Sequence, residues 1–374
     1  MKINLNYKHP NFLLAMFFLP YVGSTFFAYI FIYLYLFFNL MKLRLRSWEY
    51  FLLLLYPIFI ILKVQQVGVS NGELIFRFFL GFIPIYYFFK IYKTRINISL
   101  FIYLLCYAII LEAFLINTVI SPTLLGNYPS QEVFEISHQT SFLGFYQRPY
   151  GIGCNSTVTS SILCLSLFFL RKEVTFYKLK WNKWIDVLTL VAILLLASGT
   201  GFFLYIIYVF YRYNLISLKK SLLGILIGYI LWGIITNIDL MGAESILKKI
   251  SLEYINLLIE FKQEQMVETI NELNSTSLII GSDFSNSPLL LWNDFAIRDF
   301  FHTFGFMGII VFCIFILCRL NNYNKVFIVI AIISLFHYGS VFSFSGQLLF
   351  AYILKYSEEL HPNYRGKRIR IEHT

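Results

Sequence analysis

A helix needs about twenty apolar residues to cross the hydrocarbon core of a bilayer, and somewhat fewer where one end is tucked into protein. Stretches of that kind recur along nearly the whole chain, at 11–40, 48–62, 74–89, 98–119, 152–170, 184–197, 201–211, 222–237, 301–318, 326–341 and 348–356. The first reads as one long helix or as a tight hairpin near Pro20. Of the 374 residues, 58% are hydrophobic and 13% charged, against roughly 25% charged in an ordinary soluble domain. A water-soluble fold is excluded on that ground. The expected fold is all-α: a single polytopic integral membrane domain over residues 1–374, with about eleven or twelve transmembrane helices. The apolar run from Asn11 is too long for a signal-peptide core and lacks a clean cleavage site, so it reads as retained.

A net charge of +10 would suit a nucleic-acid partner in a soluble protein. Here the basic residues gather at one end of successive apolar segments. They are Lys42, Arg44 and Arg46; Lys90, Lys93 and Arg95; Arg171, Lys172, Lys178, Lys180 and Lys183; Arg212, Lys219 and Lys220; Arg319 and Lys325; and Lys355, Arg365, Lys367, Arg368 and Arg370. If spans alternate, every group falls on the same side, which is the cytoplasmic bias of the positive-inside rule. Topology explains the charge, and no nucleic acid is expected. Lys2 and Lys8 favour an inside start, hence two crossings before Leu40. The 41 Phe and 27 Tyr follow from AT-rich codons rather than from an aromatic binding surface.

The opposite side receives two large loops, 121–151 and 239–300. The second holds Asp239, Glu244, Glu253, Glu260, Glu264, Glu268, Glu272, Asp283, Asp294 and Asp299, half of the chain's 20 acids, which a translocated loop tolerates. Within it, Leu247, Ile250, Tyr254, Leu257 and Phe261 follow three-four spacing, and Met266, Ile270 and Leu273 resume it after a slip. That pattern predicts an amphipathic helix of about thirty residues, lying along the membrane surface, capping the bundle, or acting as a lid.

Scattered charges carry whatever chemistry there is. The chain has no P-loop, GxGxxG, HExxH, DxD or GxSxG pattern, and its five cysteines lie in or beside apolar segments with no CxxC. No metal site and no cofactor are expected. Away from the cytoplasmic groups, arginine is scarce: Arg77, Arg148 and Arg298. Arg148 ends the first loop in Gln147-Arg148-Pro149-Tyr150-Gly151-Ile152-Gly153, where Pro and two Gly let the backbone turn sharply. Its planar fork suits a pyrophosphate or sugar hydroxyls; the plainer role is an interfacial arginine on a lipid phosphate. Upstream, one helical turn would bring Glu135 and His138 onto one face, a carboxylate-oriented imidazole suited to general-base work.

The end of the second loop runs from Gly281 through Asp283 to Pro288, then from Asn293 to Gly305. If a helix starts near Asn293, then Asp294, Arg298 and His302 stack on one face at the outer mouth, where they either bind a hydroxyl-rich anion or form a local salt bridge. Inside spans, Arg77 snorkels or pairs with the deeper Glu112, since an unpaired central charge costs roughly 2.5 to 3.5 kcal/mol. His337 reads as a hydrogen-bonded core histidine.

This layout resembles the bacterial O-antigen and capsule repeat-unit polymerases (Wzy type) and, more distantly, the O-antigen ligases. Arg148 to Ser156 is similar to the family's arginine-glycine entry after the first large loop. Leu196-Ala197-Ser198-Gly199-Thr200-Gly201 resembles its small-residue turn, and Asp283 to Gly308 resembles its Asp-containing exit into a glycine-bearing helix. One departure is Thr200, where the family turn commonly has an arginine, so that arginine's anion-binding role does not carry over. The resemblance implies a multi-pass protein of the bacterial inner membrane with both loops periplasmic. Its donor would be an undecaprenyl-pyrophosphate-linked oligosaccharide and its acceptor the terminal hydroxyl of another lipid-linked unit, with membrane lipids and a chain-length regulator protein as further partners. In that scheme Arg148, Arg298 and Arg77, with Asp283 and Asp294, contact diphosphate or sugar, and His138, Glu135 or His302 is the base. The alternatives are an O-antigen ligase and a lipid-linked oligosaccharide flippase or other transporter.

Overall fold

A computed structural model of the chain describes residues 10–22, 25–43, 45–67, 81–118, 148–213, 252–282, 295–320, 324–335, 337–357 and 360. Every regular element among them is helical. In chain order these are α1 (Pro10–Phe17), α2 (Thr25–Asn39), α3 (Ser47–Val67), α4 (Phe82–Tyr92), α5 (Ile98–Thr118), α6 (Ser156–Tyr177), α7 (Lys183–Leu196), α8 (Gly199–Tyr213), α9 (Leu252–Glu272), α10 (Ser275–Ile280), α11 (Ala296–Arg319), α12 (Lys325–Leu335) and α13 (Phe344–Ser357), with short 3-10 turns between some of them. Among the described residues, three stretches are long and apolar enough to cross a membrane: Thr25–Lys42, Ile98–Thr118 and Ala296–Arg319.

The helices follow the apolar stretches, with informative shifts at their ends. The N-terminal run is broken: α1 stops at Phe17 and Pro20 lies in a 3-10 turn, Leu19–Val22, before α2. Proline lacks an N–H and clashes with the preceding turn, so a break there is its ordinary effect. The helix expected from 152 begins four residues later, because Gly151–Gly153 forms a 3-10 turn and the Asn155 side chain then caps α6, accepting from Thr157 N–H at 2.8 Å and Val158 N–H at 3.4 Å.

The chain divides into two compact units, residues 1–96 with 262–374, and residues 97–261. In the first, α13 packs along α4, and α2 and α1 join them. Aromatic rings fill the seam, with Phe82 5.4 Å from Phe350 and Phe89 5.4 Å from Tyr352, both edge-on. Several buried polar groups inside this apolar packing find partners. Tyr29 Oη donates to Gln347 Oε1 at 2.5 Å, Ser345 Oγ to the Phe17 carbonyl at 2.8 Å, and Tyr356 Oη to the Thr94 carbonyl at 2.8 Å. At one end of α3, Glu49 accepts from Arg46 N–H and ion-pairs with Lys90 and Arg319, while Arg319 stacks 4.3 Å over Tyr86. In the second unit, α5 packs on α7 and α6 on α8. Asp186, in the first turn of α7, holds Trp181 Nε1 and Tyr208 Oη, both at 2.9 Å, and the Arg212 guanidinium. In both units an acid near a helix start ties down basic residues that the charge pattern assigned to topology alone.

A helix, α9, covers 252–272 of the stretch where about thirty amphipathic helical residues were expected, and it turns an unexpected side inward. Leu257, Phe261 and Ile270 are exposed, whereas Lys262, Thr269 and Leu273 are buried. The slip in the apolar repeat is the reason. At 100° per residue Leu257 and Phe261 lie nearly opposite Met266 and Leu273, so one helix cannot bury both sets. The buried set takes Lys262 with it, and its ammonium sits 5.0 Å over the Phe295 ring.

Candidate functional site

In the second unit, the turn that follows Arg148 is built around glycines and a buried carboxylate. Gly151 has φ +66°, and a Cβ there would lie 2.5 Å from Thr159 Cγ2, so any other residue is strained at this position and displaces the Thr159 side chain. Thr159 works from both ends of its hydroxyl: it donates to the Tyr150 carbonyl and accepts from Gly153 N–H at 2.9 Å. The Glu112 carboxylate, 4% exposed, receives Tyr150 N–H at 2.8 Å and Gly151 N–H at 3.1 Å. Two amides aimed at one carboxylate are a charge-assisted anchor, and they account for an acid deep in an apolar helix. Arg77, its expected partner, lies outside the described residues.

Arg148 itself is half-buried, and its Nη1 donates to the Ala197 carbonyl at 3.5 Å. Ala197 closes α7 in the left-handed conformation, φ 46°. The guanidinium therefore sits at the negative end of a helix dipole, a structural role that the sequence did not suggest. The small-residue turn lies beside it: Ser198 Oγ accepts from Gly201 N–H at 3.2 Å, capping α8, and donates to Thr157 Oγ1 at 3.1 Å. Gly201 lets Ser160 of α6 press against the α8 backbone.

In the first unit, the candidates lie on α11. Its helix begins at Ala296, a little after the expected start at Asn293. Arg298 and His302 are one turn apart, as the spacing requires. Arg298 Nε lies 3.2 Å from Asp299 Oδ1, so the local salt bridge seen here is with Asp299. His302 meets Ser282, whose Oγ is 2.9 Å from Nδ1 and 3.1 Å from Nε2. Three residues on, α11 is interrupted at Gly305, with φ 58° and ψ −162°. His337 lies beyond the end of α12, its N–H on the Ser334 carbonyl at 3.3 Å and its own carbonyl accepting Ala296 N–H at 2.8 Å.

The structure thus brings Arg298 near His302 and brings Arg148 to the end of α7, in different units. Glu135, His138, Asp283 and Asp294 lie outside the described residues. Glu112, Thr159 and Ser282 were not singled out for these contacts. Only the gap between an apolar helix and an acid inside it hinted at the first, and nothing in local spacing hinted at the other two. Comparison with known protein families, characterised proteins and solved structures finds no match to the chain.

Proposed function

We propose that this chain is a polytopic protein of the bacterial inner membrane that joins undecaprenyl-pyrophosphate-linked oligosaccharide units into O-antigen or capsular polysaccharide at the periplasmic face. The observation that carries the reading is the constellation on α11: an imidazole one turn from a guanidinium, on a helix apolar enough to cross a membrane and interrupted within a turn of the imidazole. Irregular backbone at membrane depth is tolerated where it is buried in protein or lines a wet cavity, and ionisable groups there mark substrate sites. The loop layout and the resemblance of Arg148 to Ser156 and of Asp283 to Gly308 to the repeat-unit polymerases support the same reading.

The chemistry asks for little. A lipid diphosphate leaves readily, so no nucleotide motif is needed. His302 takes the proton of the acceptor hydroxyl as that oxygen bonds to the donor anomeric carbon. The bond from that carbon to the diphosphate oxygen breaks, and the electron pair departs on the diphosphate, which Arg298 stabilises. The proton leaves His302 to water. General-base help contributes about 10² to 10⁴ in rate, and cationic stabilisation of the leaving group a comparable factor.

The interrupted helix also suits a transporter, since discontinuous spans form binding sites in that class. One experiment separates the two. The purified chain in proteoliposomes, given undecaprenyl-pyrophosphate-linked repeat units and no flippase, is expected to yield a ladder of longer lipid-linked glycans, which His302→Ala abolishes. Substrate that crosses the bilayer but never lengthens would overturn the polymerase reading. In cells, Arg148→Ala is expected to remove long-chain polysaccharide while the protein stays at normal membrane abundance; a normal ladder would take Arg148 out of the site.

A further inference from the structure

In the second unit, the turn from α6 into α7 gathers positive charge faster than the acids beside it can offset. From Arg171 to Asp186 the chain carries five basic residues and two acids. Asp186 already serves three groups: Oδ1 takes Tyr208 Oη at 2.9 Å, and Oδ2 takes Trp181 Nε1 at 2.9 Å together with the Arg212 guanidinium. The Trp181 ring fixed in this way has two guanidinium groups over it, Arg212 at 4.7 Å and Arg171 at 5.7 Å from the centroid. Two cations thus crowd one indole beside a single carboxylate. Arg171, which is half-buried, and the exposed Lys178, Lys180 and Lys183 form no ion pair among the described residues. Like charges held this close repel one another until an anion joins them.

The turn also stands at the level of lipid headgroups. Helix α5 is long and apolar enough to cross a membrane, and the turn is fastened near its start by Asn182 Nδ2, which donates to Tyr103 Oη at 2.6 Å. Asn182 caps α7 as well, accepting Trp184 N–H at 3.1 Å. From there Trp184, Val187 and Val191 follow one another down α7 at three- and four-residue steps, and all three are exposed, Trp184 at 68%. Leu179, within the turn, is exposed too. A cationic end above an apolar stripe is complementary to an amphiphile with an anionic head, and tryptophan is enriched at the membrane–water interface. The bias of basic residues toward one side of a membrane accounts for the lysines. It does not account for a guanidinium laid over an indole whose neighbouring acid is taken by another arginine.

We infer that the α6–α7 turn binds an anionic phospholipid of the surrounding bilayer, with Arg171, Lys178 and Lys180 on its phosphate and its acyl chains along Trp184, Val187 and Val191. The planar fork of Arg171 suits two phosphate oxygens, and the lysines add point charges. This site is separate from the glycan chemistry and does not depend on it. The full-length protein, purified in detergent, is titrated with phosphatidylglycerol or phosphatidylethanolamine, and bound lipid is counted by native mass spectrometry. Phosphatidylglycerol is expected to bind about tenfold more tightly. The combined variant Arg171→Ala, Lys178→Ala, Lys180→Ala is expected to lose that preference, while Lys42→Ala, Lys93→Ala, Lys325→Ala, which removes the same charge from exposed positions in the first unit, keeps it within about twofold. Lys178→Ala with Lys180→Ala touches only exposed side chains and leaves Arg171 on Trp181, so it reads the site even if the larger change unsettles the fold; about threefold weaker phosphatidylglycerol binding is expected from it. Equal binding of the two phospholipids by the wild type would overturn the inference. So would equal losses in the two triple variants, which would make the effect one of general charge. Undecaprenyl phosphate, added in competition, is expected to displace phosphatidylglycerol no better than phosphatidylglycerol itself; displacement about tenfold stronger would give the site to the carrier lipid and overturn its assignment to the bilayer lipid.

Discussion

Both candidate sites use glycine to bring backbone close to a functional side chain, but they hold that backbone in different ways. The turn after Arg148 is gripped from the side: the Glu112 carboxylate and the Thr159 hydroxyl take up its amides and a carbonyl. At the crossing of Gly281 with Gly305, main chain meets main chain, and Ser282 N–H on the His302 carbonyl ties it. A side-chain grip can relax by a rotamer change. A backbone crossing can relax only by moving a helix, so the two should respond differently to the same small insult.

The sharpest test of that contrast is to add one methyl group at each. Gly281→Ala combines left-handed strain with a clash against the Thr303 carbonyl, and should cost about 4 kcal/mol, read as a large fall in unfolding temperature in detergent. Gly151→Ala meets the Thr159 methyl, which can rotate, and should cost about half as much; equal losses would erase the distinction. Next comes Glu112→Ala, which strands two buried amides and should cost about 3 kcal/mol, with Glu112→Gln near half of that because one acceptor oxygen remains. If alanine there is neutral, the carboxylate is not what holds the turn. Thr159→Val keeps shape but loses both hydroxyl bonds, and about 2 kcal/mol should follow in the same measurement. The smallest effect is expected at Ala197, where φ 46° is left-handed. Ala197→Gly relieves that strain and should stabilise by about 0.5 kcal/mol, provided that the Arg148 contact survives the change.

Much of the secondary structure was legible in advance because lipid-length apolar runs have few alternatives, and the helices at 98–118, 183–196 and 199–213 start and stop within a few residues of the expected spans. The Arg148 turn was legible too, since Gly151 and Gly153 announce a sharp bend. The inward side of α9 was not. Its apolar residues split between opposite faces, and only packing selects the Lys262, Thr269 and Leu273 side. His302 was singled out by its spacing to Asp294 and Arg298, with the base role implied only by the family resemblance, yet Ser282, which it meets, lies 20 residues upstream, at a separation that no helical period reaches.

What the amino-acid order determined by itself is local: where apolar runs make helices, where proline and glycine interrupt them, and which rare arginines and histidines are chemically worth asking about. These follow from backbone sterics and the cost of dehydrating polar groups, both of which act within a few residues. Only the tertiary structure decided which groups meet, as Glu112 with the amides of Tyr150 and Gly151, Arg148 with the end of α7, and Ser282 with His302. Hydrogen bonds have short reach and strict direction, so those meetings depend on how helices far apart in the chain come to rest against one another.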